Sequence, residues 1–343
     1  MKILLCSVPF RPSVGGIETI SALLAERFHA AGHRVVLVTR TDSATAETDA
    51  FEVVRRPSMQ RLFALVRWAD VVFHNNISLR FAWPMLFCHR PWVVAHHTWI
   101  AKAGLAARVK RLVLRLGSHI AVSQAVARSL PMPCVVVPNP YADDLFVRHE
   151  GAPRRGQLVF VGRLVSDKGV DVLLEALALL AKAGTRVRLT VIGDGPEKPA
   201  LRQQAEGLGI AHQVEFVGRR TGPSLAAALN AHQILVVPSV WEEPFGVVAL
   251  EAMACGCVPL VARSGGLPEA VGHGGAVFER ADPQSLAQGI VELLFNPESI
   301  ARYRALATAH LERHSRDAVA QRYLQVITDA AYAPATQRTA RAG

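Results

Sequence analysis

Two glutamates, Glu243 and Glu251, stand on either side of the start of a predicted helix. Seven residues separate them in the run Glu243-Pro-Phe-Gly-Val-Val-Ala-Leu-Glu251, and Gly246 lies where the helix should begin. A strand over residues 233–238 should lead into this loop, and Glu251 should lie about two turns along the helix. Backbone N–H groups at residues 245–247 would then point outward and favour an anion. The pair could bind a polyhydroxylated anion such as a nucleotide sugar, or both carboxylates could simply be solvated.

Two cations, Arg163 and Lys168, lie between a predicted strand and a predicted helix, just after Gly162. In an α/β fold, cations at such a junction form an anion site. Arginine offers a planar fork that suits a phosphate, whereas lysine offers a point charge. The alternative interpretation is that both cations pair with Asp167 or Asp171 on the surface.

Together with several glycine motifs, these residues resemble glycosyltransferase family four, whose members are retaining enzymes of the two-domain GT-B fold. The likeness covers most of the chain, and the motifs occur in the order found in the family. They are Gly15-Gly16-Ile17-Glu18, Ala31-Gly32-His33, Pro138-Asn139-Pro140, Gly162-Arg163, Lys168-Gly169, Gly193-Asp194-Gly195-Pro196, Glu243 to Glu251, Glu251-Ala-Met-Ala-Cys-Gly256 and Gly265-Gly266-Leu-Pro-Glu269. The resemblance implies transfer of a sugar from a nucleotide diphosphate donor, with the anomeric configuration retained.

The resemblance also implies roles for individual residues. Glu243 would hold the hydroxyls of the donor sugar, Glu251 those of the ribose, and Arg163 and Lys168 would stabilise the departing diphosphate. Front-face attack, helped by the leaving phosphate, is the mechanism described for the family, and neither a metal nor another cofactor is expected. The donor-binding residues implied by the resemblance are Gly15, Gly16, Gly162, Arg163, Lys168, Gly193, Gly195, Glu243, Phe245, Gly246, Val247 and Glu251.

Some of these motif residues also have plainer interpretations. Gly193 and Gly195 could form only a tight turn after a strand. Gly15 and Gly16 would permit a close approach of the backbone or a positive φ. Glu18, which the resemblance places on the acceptor side, could instead cap the helix that follows the first strand.

Adjacent histidines, His96 and His97, end a predicted strand. Neighbours on a strand point to opposite sides, so only one can face a ligand. The resemblance places one histidine beside the donor sugar, and strand alternation with the family spacing favours His97 over His96. With His97 the catalytic set is His97, Glu243, Arg163 and Lys168, whereas His74, at the end of the third predicted strand, joins Glu18 and His96 on the acceptor side. No carboxylate is spaced to complete a metal site with these histidines.

Alternating short apolar strands and helices predict an α/β fold with two Rossmann-like, doubly wound parallel sheets and an interdomain cleft. Residues 1–150 should form an acceptor-binding domain and residues 151–314 a nucleotide-sugar-binding domain. A closing helix at about 315–332 should return to the first domain, and residues 333–343 should be disordered. The predicted strands are 2–8, 34–39, 69–74, 91–95, 119–122, 134–138, 158–161, 187–192, 214–217, 234–238, 258–262 and 276–278. Neither half has a Gly-x-Gly-x-x-Gly after its first strand, which argues against a dinucleotide dehydrogenase.

Composition agrees with a two-domain α/β protein. The chain has 343 residues, enough for two domains, and 50% of them are hydrophobic. No apolar stretch reaches the ~18 residues that suggest a membrane span, and the first apolar run fits a buried strand better than a signal peptide. Five cysteines in a chain of this size do not form a disulfide framework. We therefore expect a cytoplasmic protein.

Charge is concentrated in the first half of the chain. Residues 1–150 hold 18 Lys and Arg against 10 Asp and Glu, whereas the remainder holds 20 against 18. A predicted helix carries an apolar stripe with a basic edge, made of Leu105, Val109, Leu112 and Leu116 beside Arg108, Arg111 and Arg115. Such a helix can lie on an anionic membrane surface, or its stripe can pack on the sheet. The sequence shows no basic–aromatic pattern typical of nucleic-acid binding.

These observations predict a retaining glycosyltransferase that uses a UDP- or GDP-sugar. Its expected acceptor is a glycan or lipid-linked glycan of cell-surface polysaccharide or lipopolysaccharide synthesis, with peripheral contact to the cytoplasmic face of the membrane. A sugar-nucleotide epimerase or phosphorylase of the same architecture, or a non-catalytic scaffold that binds a nucleotide sugar, remains the alternative.

Overall fold

The computed structural model describes residues 1–13, 15–43, 49–100, 103–151, 153–154 and 156–332. This part of the chain forms two compact units. The N-terminal unit comprises Met1–Asn139 together with the chain from Arg316, and the C-terminal unit comprises Pro140–Ser315. The tail predicted to be disordered, residues 333–343, lies outside the described residues.

Seven parallel strands form the sheet of the N-terminal unit. They are β1 (Lys2–Cys6), β2 (Arg34–Thr39), β3 (Glu52–Arg55), β4 (Val71–Asn75), β5 (Trp92–His96), β6 (Ser118–Ala121) and β7 (Val135–Val136). Their order across the sheet is β3-β2-β1-β4-β5-β6-β7. The helices between them are α1 (Gly16–Ala30), α2 (Met59–Trp68), α3 (Leu79–Ala82), α4 (Leu105–Leu114) and α5 (Gln124–Arg128), and Trp83–Leu86 forms a 3-10 turn.

Six parallel strands form the sheet of the C-terminal unit. They are β8 (Gly156–Val161), β9 (Leu189–Ile192), β10 (Val214–Gly218), β11 (His232–Val237), β12 (Val258–Ala262) and β13 (Ala276–Phe278), in the order β10-β9-β8-β11-β12-β13. The helices are α6 (Val170–Lys182), α7 (Lys198–Gly207), α8 (Gly222–Ala231), α9 (Val247–Ala254), α10 (Leu267–Val271), α11 (Pro283–Phe295) and α12 (Pro297–Glu312), with 3-10 turns at Ser166–Lys168 and Ala211–Gln213.

The last helix, α13 (Arg316–Tyr332), belongs to the N-terminal unit. Its buried residues include Tyr323, whose ring meets that of Phe73 in β4 edge to face at 5.9 Å. On β1, Ile3 packs in the core shared with α1 and α13, whereas Leu4 packs in the core on the opposite face. Alternate residues of a strand point to opposite faces, so a continuous apolar run fills two cores at once.

Each sheet has one place where the strand order reverses. In the N-terminal unit it lies between β1 and β4, and in the C-terminal unit between β8 and β11. Loops leaving the carboxyl ends of two such strands diverge to opposite faces of the sheet, and ligands of doubly wound folds bind in the crevice between them. The residues that follow β8 and β11 are therefore placed where such folds bind a ligand.

The sequence missed β3 and placed the domain boundary too late. β3, with sequence EVVR, is a partly exposed edge strand without the continuous apolar run that marked the other strands. Consequently His74 lies in the fourth strand, not the third. The predicted boundary at 150/151 is wrong, because the unit changes at Asn139 and the polar segment that follows packs on the C-terminal unit.

Side-chain contacts explain where this segment belongs. Phe146 is 4% exposed in the core of the C-terminal unit. The backbone N–H of His149 donates to Asn230 Oδ1 at 2.8 Å, and Asn230 Nδ2 donates to the Val147 carbonyl at 2.9 Å. One buried aromatic residue anchors a stretch whose composition is otherwise that of a linker.

Within the described residues, no helix has both the length and the apolar character needed to cross a membrane.

Phe146→Ala should destabilise the C-terminal unit by roughly 3 kcal/mol or more, because it leaves a cavity in a closed core. Urea unfolding followed by tryptophan fluorescence and circular dichroism would measure the change in the free energy of unfolding. Val147→Ala is the matched control, since the neighbouring Val147 side chain is exposed and should change stability by less than about 0.5 kcal/mol. Equal effects of the two substitutions would contradict the placement of the boundary.

Candidate functional site

The loop after β8 carries both cations that were predicted to bind a phosphate. Arg163 lies in this loop, and Lys168 ends the 3-10 turn that leads into α6. Gly169 caps α6 with φ of 66°, and a Cβ atom there would lie 2.0 Å from the carbonyl oxygen of Pro238. Glycine is required, because only a residue without a side chain lets α6 begin against the end of β11. This contact holds Lys168 beside the loop that follows β11.

Lys168 and Glu243 form an ion pair, although 75 positions separate them in the sequence. Ser239, which follows β11, donates from its hydroxyl to the same carboxylate oxygen of Glu243 at 2.9 Å. The side chains of Lys168 and Glu243 are 26% and 16% exposed, so the pair is partly shielded from water and still open to a ligand. The surface pairing of Lys168 with Asp167 or Asp171 is therefore wrong.

The Arg163 side chain has no partner among the described residues. Its side chain is exposed and forms no ion pair or hydrogen bond with any residue that the structure describes. A guanidinium group in this state can pair with an incoming anion without first breaking a contact. The loop after β8 thus offers one open cation, Arg163, and one cation, Lys168, that is already oriented by a carboxylate.

The backbone around Glu243 is held by the segment before α10. The Gly266 N–H donates to the Glu243 carbonyl at 2.7 Å. Gly265 has φ of 52°, and a Cβ atom there would lie 2.1 Å from the same carbonyl oxygen. The two glycines thus allow backbone to pack on backbone, and this packing fixes the position of the Glu243 side chain.

The start of α9 has the glycine predicted for it. Gly246 caps α9 with φ of 121°, and a Cβ atom there would lie 2.5 Å from Leu267 Cδ2. Gly246 has no side chain with which to cap this helix start, so the N-terminal end of the helix dipole favours an anion. Phe245 is different: its side chain is 3% exposed and its ring stacks on His314. Only the backbone of Phe245 can face a ligand, because its side chain packs inside the unit.

Glu251 is the fifth residue of α9, just over one turn from the helix start, so the predicted position two turns along is wrong. Its carboxyl group forms no hydrogen bond or ion pair with a described residue. Burial raises the pKa of Glu251 to about 7. Hydroxyl groups of a ligand could donate to this carboxylate and favour its charged form.

Gly193 and Gly195 are required by the packing of two loops. A Cβ atom at Gly193 would lie 1.8 Å from the Gly162 carbonyl oxygen, and one at Gly195 would lie 2.2 Å from that of Leu164. The Leu164 N–H also donates to the Asp194 carbonyl at 2.9 Å. Glycine at these positions brings the loop after β9 against the loop that carries Arg163, so the motif does more than form a turn.

Neither Gly15 nor Gly16 has a positive φ. Gly15 is extended with φ of −173°, and Gly16 begins α1. A Cβ atom at Gly16 would meet no atom within 4 Å. Glu18 accepts a hydrogen bond from the Ser13 hydroxyl at 3.0 Å and is the acidic residue of the first turn of α1. Glu18 is thus placed to interact with the N-terminal end of the α1 dipole, which agrees with the capping interpretation. An open cavity of about 560 Å³ lies beside Glu18, lined also by Arg11, Glu26, Arg27 and Arg316.

Two of the three predicted site histidines, His74 and His96, are buried in the sheet. His74 is 1% exposed and accepts a hydrogen bond from the Trp92 indole N–H at 3.2 Å. His96 is fully buried, and its Nε2 lies 3.2 Å from Nδ1 of His119. Burial lowers the pKa of both His74 and His96 to about 3. Their prediction as acceptor-side residues is wrong, because neither side chain is accessible.

His97 follows β5 and is held by asparagines that sequence reasoning did not assign to the site. Its Nε2 lies 2.6 Å from Asn75 Oδ1, and its Nδ1 lies 3.1 Å from Asn139 Oδ1. Asn75 ends β4, and Asn139 is the last residue before the chain enters the C-terminal unit. A polar residue that ends a buried strand at the reversal point was the available signal for Asn75, and Ser239 lies two residues after a buried strand at the other reversal point.

The apolar stripe on α4 faces solvent. Leu105 and Leu112 are 79% and 64% exposed, and Val109 and Leu116 are exposed as well. The buried face of α4 consists of Ala107, Val113 and Leu114. The interpretation that the stripe packs on the sheet is therefore wrong.

Among the described residues, no group of three or more His, Cys, Asp or Glu side chains could hold a metal ion. All five cysteines are free thiols. The reversal point of the C-terminal unit carries two cations, two carboxylates and a helix N-terminus.

Comparison with known proteins gives matches in sequence and in fold. Residues 143–310 match the family described as glycosyl transferases group 1. A D-inositol 3-phosphate glycosyltransferase of Thermobispora bispora is 37% identical over 184 residues, which are 50% of this chain and 43% of the relative. The chain thus matches less than half of the length of this curated relative. The matched family residues lie in the C-terminal unit, which contains Arg163, Lys168, Glu243 and Glu251.

Solved structures match nearly the whole chain. A glycosyltransferase from Rickettsia africae has a TM-score of 0.80 at 14% identity, covering 97% of this chain and 99% of its own. HepE from Anabaena, solved in complex with UDP, has a TM-score of 0.81 at 23% identity, covering 96% of this chain and 100% of its own. These likenesses confirm the predicted α/β fold with two Rossmann-like parallel sheets, the fold class GT-B.

The raised pKa of Glu251 predicts how stability depends on pH. A carboxyl whose pKa is higher in the folded state than in the unfolded state loses stability as pH rises between the two values. We therefore expect Glu251→Gln to flatten the pH dependence between about pH 4.5 and 7.5, with the wild type losing up to roughly 3 kcal/mol relative to the variant. Urea unfolding of both proteins at intervals of one pH unit would measure this. Parallel curves would show that Glu251 is not desolvated.

Proposed function

Because the chain belongs to the group 1 glycosyl transferases through its C-terminal unit, we propose that it transfers a sugar from a nucleoside diphosphate donor with retention of configuration. The observation that carries this proposal is the ion pair of Lys168 with Glu243. Among the described residues, neither Arg163, in the loop before Lys168, nor Glu251, on the helix after Glu243, has a side-chain partner. A nucleoside diphosphate sugar matches such a site, since it presents an anionic diphosphate between two sets of hydroxyl groups.

In the proposed reaction the bond between the anomeric carbon and the diphosphate breaks, and the electron pair leaves with the diphosphate. Arg163, Lys168 and the N-terminus of α9 stabilise the negative charge that develops on this leaving group. The acceptor hydroxyl attacks from the side of the leaving group, and its proton passes to a phosphate oxygen. Glu243 binds hydroxyls of the donor sugar, while Glu251 accepts hydrogen bonds from the ribose.

The donor is proposed to be a UDP-sugar, with a GDP-sugar as the alternative. Support for UDP comes from HepE of Anabaena, which shares the fold and was solved with that nucleotide. No covalent nucleophile is invoked. Glu243 is already bound by Lys168 and Ser239, and charge compensation by Lys168 favours a role in binding.

The acceptor is proposed to be a glycan or lipid-linked glycan at the cytoplasmic face of the membrane. Basic residues predominate in the first 150 residues, and α4 presents the exposed stripe of Leu105, Val109, Leu112 and Leu116. Apolar side chains flanked by cations suit a bilayer that contains anionic lipids. D-inositol 3-phosphate, the substrate in the name of the matched relative, is the second acceptor to test.

Charge favours a membrane over a protein as the partner of α4. The segment from Leu105 to Leu116 contains Arg108, Lys110, Arg111 and Arg115, and it has no acidic residue. Other exposed apolar residues lie on elements that pack on the same face of the sheet as α4, namely Met59, Leu86 and Phe87. Exposed apolar side chains on a helix whose charged residues are all basic match a broad anionic surface better than a compact protein epitope.

A panel of UDP-, GDP-, ADP- and dTDP-sugars, assayed for nucleoside diphosphate release with and without a crude lipid extract, tests the proposed reaction. We expect release from one donor and retention of the anomeric configuration in the product by NMR. Lys168→Ala should lower kcat/KM by about 10²- to 10³-fold, because it removes a cation that stabilises the leaving group. Glu251→Ala should mainly raise KM.

Lys182→Ala is the control for a lost positive charge. Lys182 is exposed at the end of α6, so its substitution should leave activity unchanged. Formation of an epimeric nucleotide sugar, or of sugar phosphate when inorganic phosphate is supplied, would replace the proposal with the corresponding alternative. Donor binding by calorimetry without turnover on any acceptor would indicate a scaffold.

Sedimentation with vesicles tests the membrane contact separately from activity. The full chain should bind vesicles of phosphatidylglycerol and phosphatidylcholine, and binding should weaken at high salt and with phosphatidylcholine alone. Leu105→Ser with Leu112→Ser should weaken binding roughly tenfold or more. Phe295→Ser with Leu306→Ser removes two exposed apolar side chains of the C-terminal unit and serves as the matched control. Unchanged binding of the first pair would contradict the assignment to α4, as would stripe-dependent self-association without vesicle binding.

A further inference from the structure

His97 is the only predicted site histidine whose two ring nitrogens both face side-chain amides in the described structure. Asn75 lies at Nε2 and Asn139 at Nδ1, at 2.6 and 3.1 Å. The His97 side chain is 6% exposed, so water does not supply alternative partners on all sides. The chemical state of the ring therefore depends on which atoms the two amides present.

The amide of Asn75 can have only one orientation. Its Nδ2 lies 3.3 Å from the Ile17 carbonyl and 2.7 Å from the Ser21 hydroxyl. A carbonyl oxygen cannot donate, so the amide nitrogen must face Ile17. The amide oxygen of Asn75 consequently faces His97, and an oxygen acceptor requires that His97 Nε2 carries the hydrogen.

Further bonds hold Asn75 in this orientation. The Ser21 hydroxyl lies 2.7 Å from Ser7 Oγ and 2.8 Å from the Ile17 carbonyl, and Ser7 in turn donates to the Pro9 carbonyl. Ser7, Ser21 and Asn75 are each fully buried. The network runs from the end of β1 through the first turns of α1 to the end of β4. Residues at the strand reversal point of the N-terminal unit therefore fix which atom of Asn75 faces His97.

The other nitrogen of His97 is left as an acceptor. Burial lowers the pKa of His97 to about 4, which keeps the ring neutral at physiological pH. A neutral ring with its hydrogen on Nε2 has only a lone pair at Nδ1. Asn139 presents its Oδ1 to this nitrogen at 3.1 Å, and no other hydrogen bond to a described residue holds the Asn139 side-chain amide. A half-turn of that amide places Nδ2 there as the donor, and a substrate hydroxyl could donate in its place.

We propose that Asn75 is a positioning residue that holds His97 in the Nε2–H tautomer, so that Nδ1 accepts a hydrogen bond from a substrate hydroxyl. The inference rests on the proposed glycosyl transfer for its substrate, whereas the tautomer itself rests on the hydrogen bonds of the N-terminal unit. In this role His97 orients a hydroxyl and neither gives nor takes a proton during the reaction.

NMR of the full chain labelled with ¹⁵N-histidine reads the tautomer directly and needs no activity. At pH 7 the His97 signals should show a protonated Nε2 and an unprotonated Nδ1. Asn75→Leu, which keeps the side-chain size without the amide, should give a mixture of tautomers. A protonated Nδ1 in the wild type would overturn the proposal even if the protein proves to be a glycosyltransferase.

Two substitutions of His97 test which nitrogen acts on the substrate. Asparagine can place its amide oxygen near the position of Nδ1, whereas glutamine places its amide near the position of Nε2. With the donor found in the panel above, His97→Asn should retain about tenfold more kcat/KM than His97→Gln, the value of one hydrogen bond. Thermal unfolding of both variants controls for folding. Equal loss, or better activity of His97→Gln, would overturn the assignment of Nδ1.

Asn75→Asp adds a pH-dependent test. A carboxylate at Nε2 raises the His97 pKa, and the protonated ring has a hydrogen on both nitrogens. Relative to wild type, kcat/KM of the variant should therefore fall as pH decreases through the raised pKa and recover at higher pH. His96 and His119 lie close by, and burial keeps the pKa of both at about 3 to 4, so they do not titrate in this range. If the pH profile of Asn75→Asp runs parallel to that of the wild type, the positioning role of Asn75 is overturned.

Discussion

Parallel pairing of the strands is the constraint from which the site follows. Neighbouring strands in each sheet run in the same direction, so the loops that leave their carboxyl ends collect at one edge. Where the strand order reverses, between β8 and β11, the two outgoing chains turn to opposite faces and leave room between them. Lys168 and Glu243 meet there across 75 positions of sequence. Their ion pair is a consequence of the strand order.

Close contacts between backbones set the precision of this arrangement. Three carbonyl oxygens, those of Gly162, Pro238 and Glu243, each face a glycine. A Cβ atom added to that glycine would lie only 1.8 to 2.1 Å from the oxygen. A side chain at Gly193, Gly169 or Gly265 would push the loops apart, and the charged groups would move with them. The glycines therefore act on the site through the positions of neighbouring loops. Their role is geometric even where they do not touch a ligand.

Burial shifts the titratable groups of both units towards their neutral forms, but the two units differ in whether protein groups complete the hydrogen bonds. His74, His96 and His97 become neutral, because desolvation disfavours their cationic forms, and protein groups satisfy at least one nitrogen of each ring. Glu251 is also shifted towards its neutral form, yet it has no protein partner among the described residues. A carboxyl group that is buried without a partner lowers stability, and such a cost is expected where a ligand supplies the missing hydrogen bonds.

Local sequence determined the elements and the residue types of the site. Continuous apolar runs identified the buried strands, and the positions of Arg163, Lys168, Glu243 and Glu251 around predicted strand ends predicted an anion site. Tertiary structure alone decided the partners. Lys168 pairs with Glu243 and not with its neighbour Asp167, Phe146 joins the core of the C-terminal unit, and the α4 stripe stays exposed. His97 depends on Asn75, a residue of another strand that no local pattern connects to it. The physical reason is that periodicity reports burial along one element, whereas hydrogen bonds and ion pairs depend on which elements the sheet order brings together.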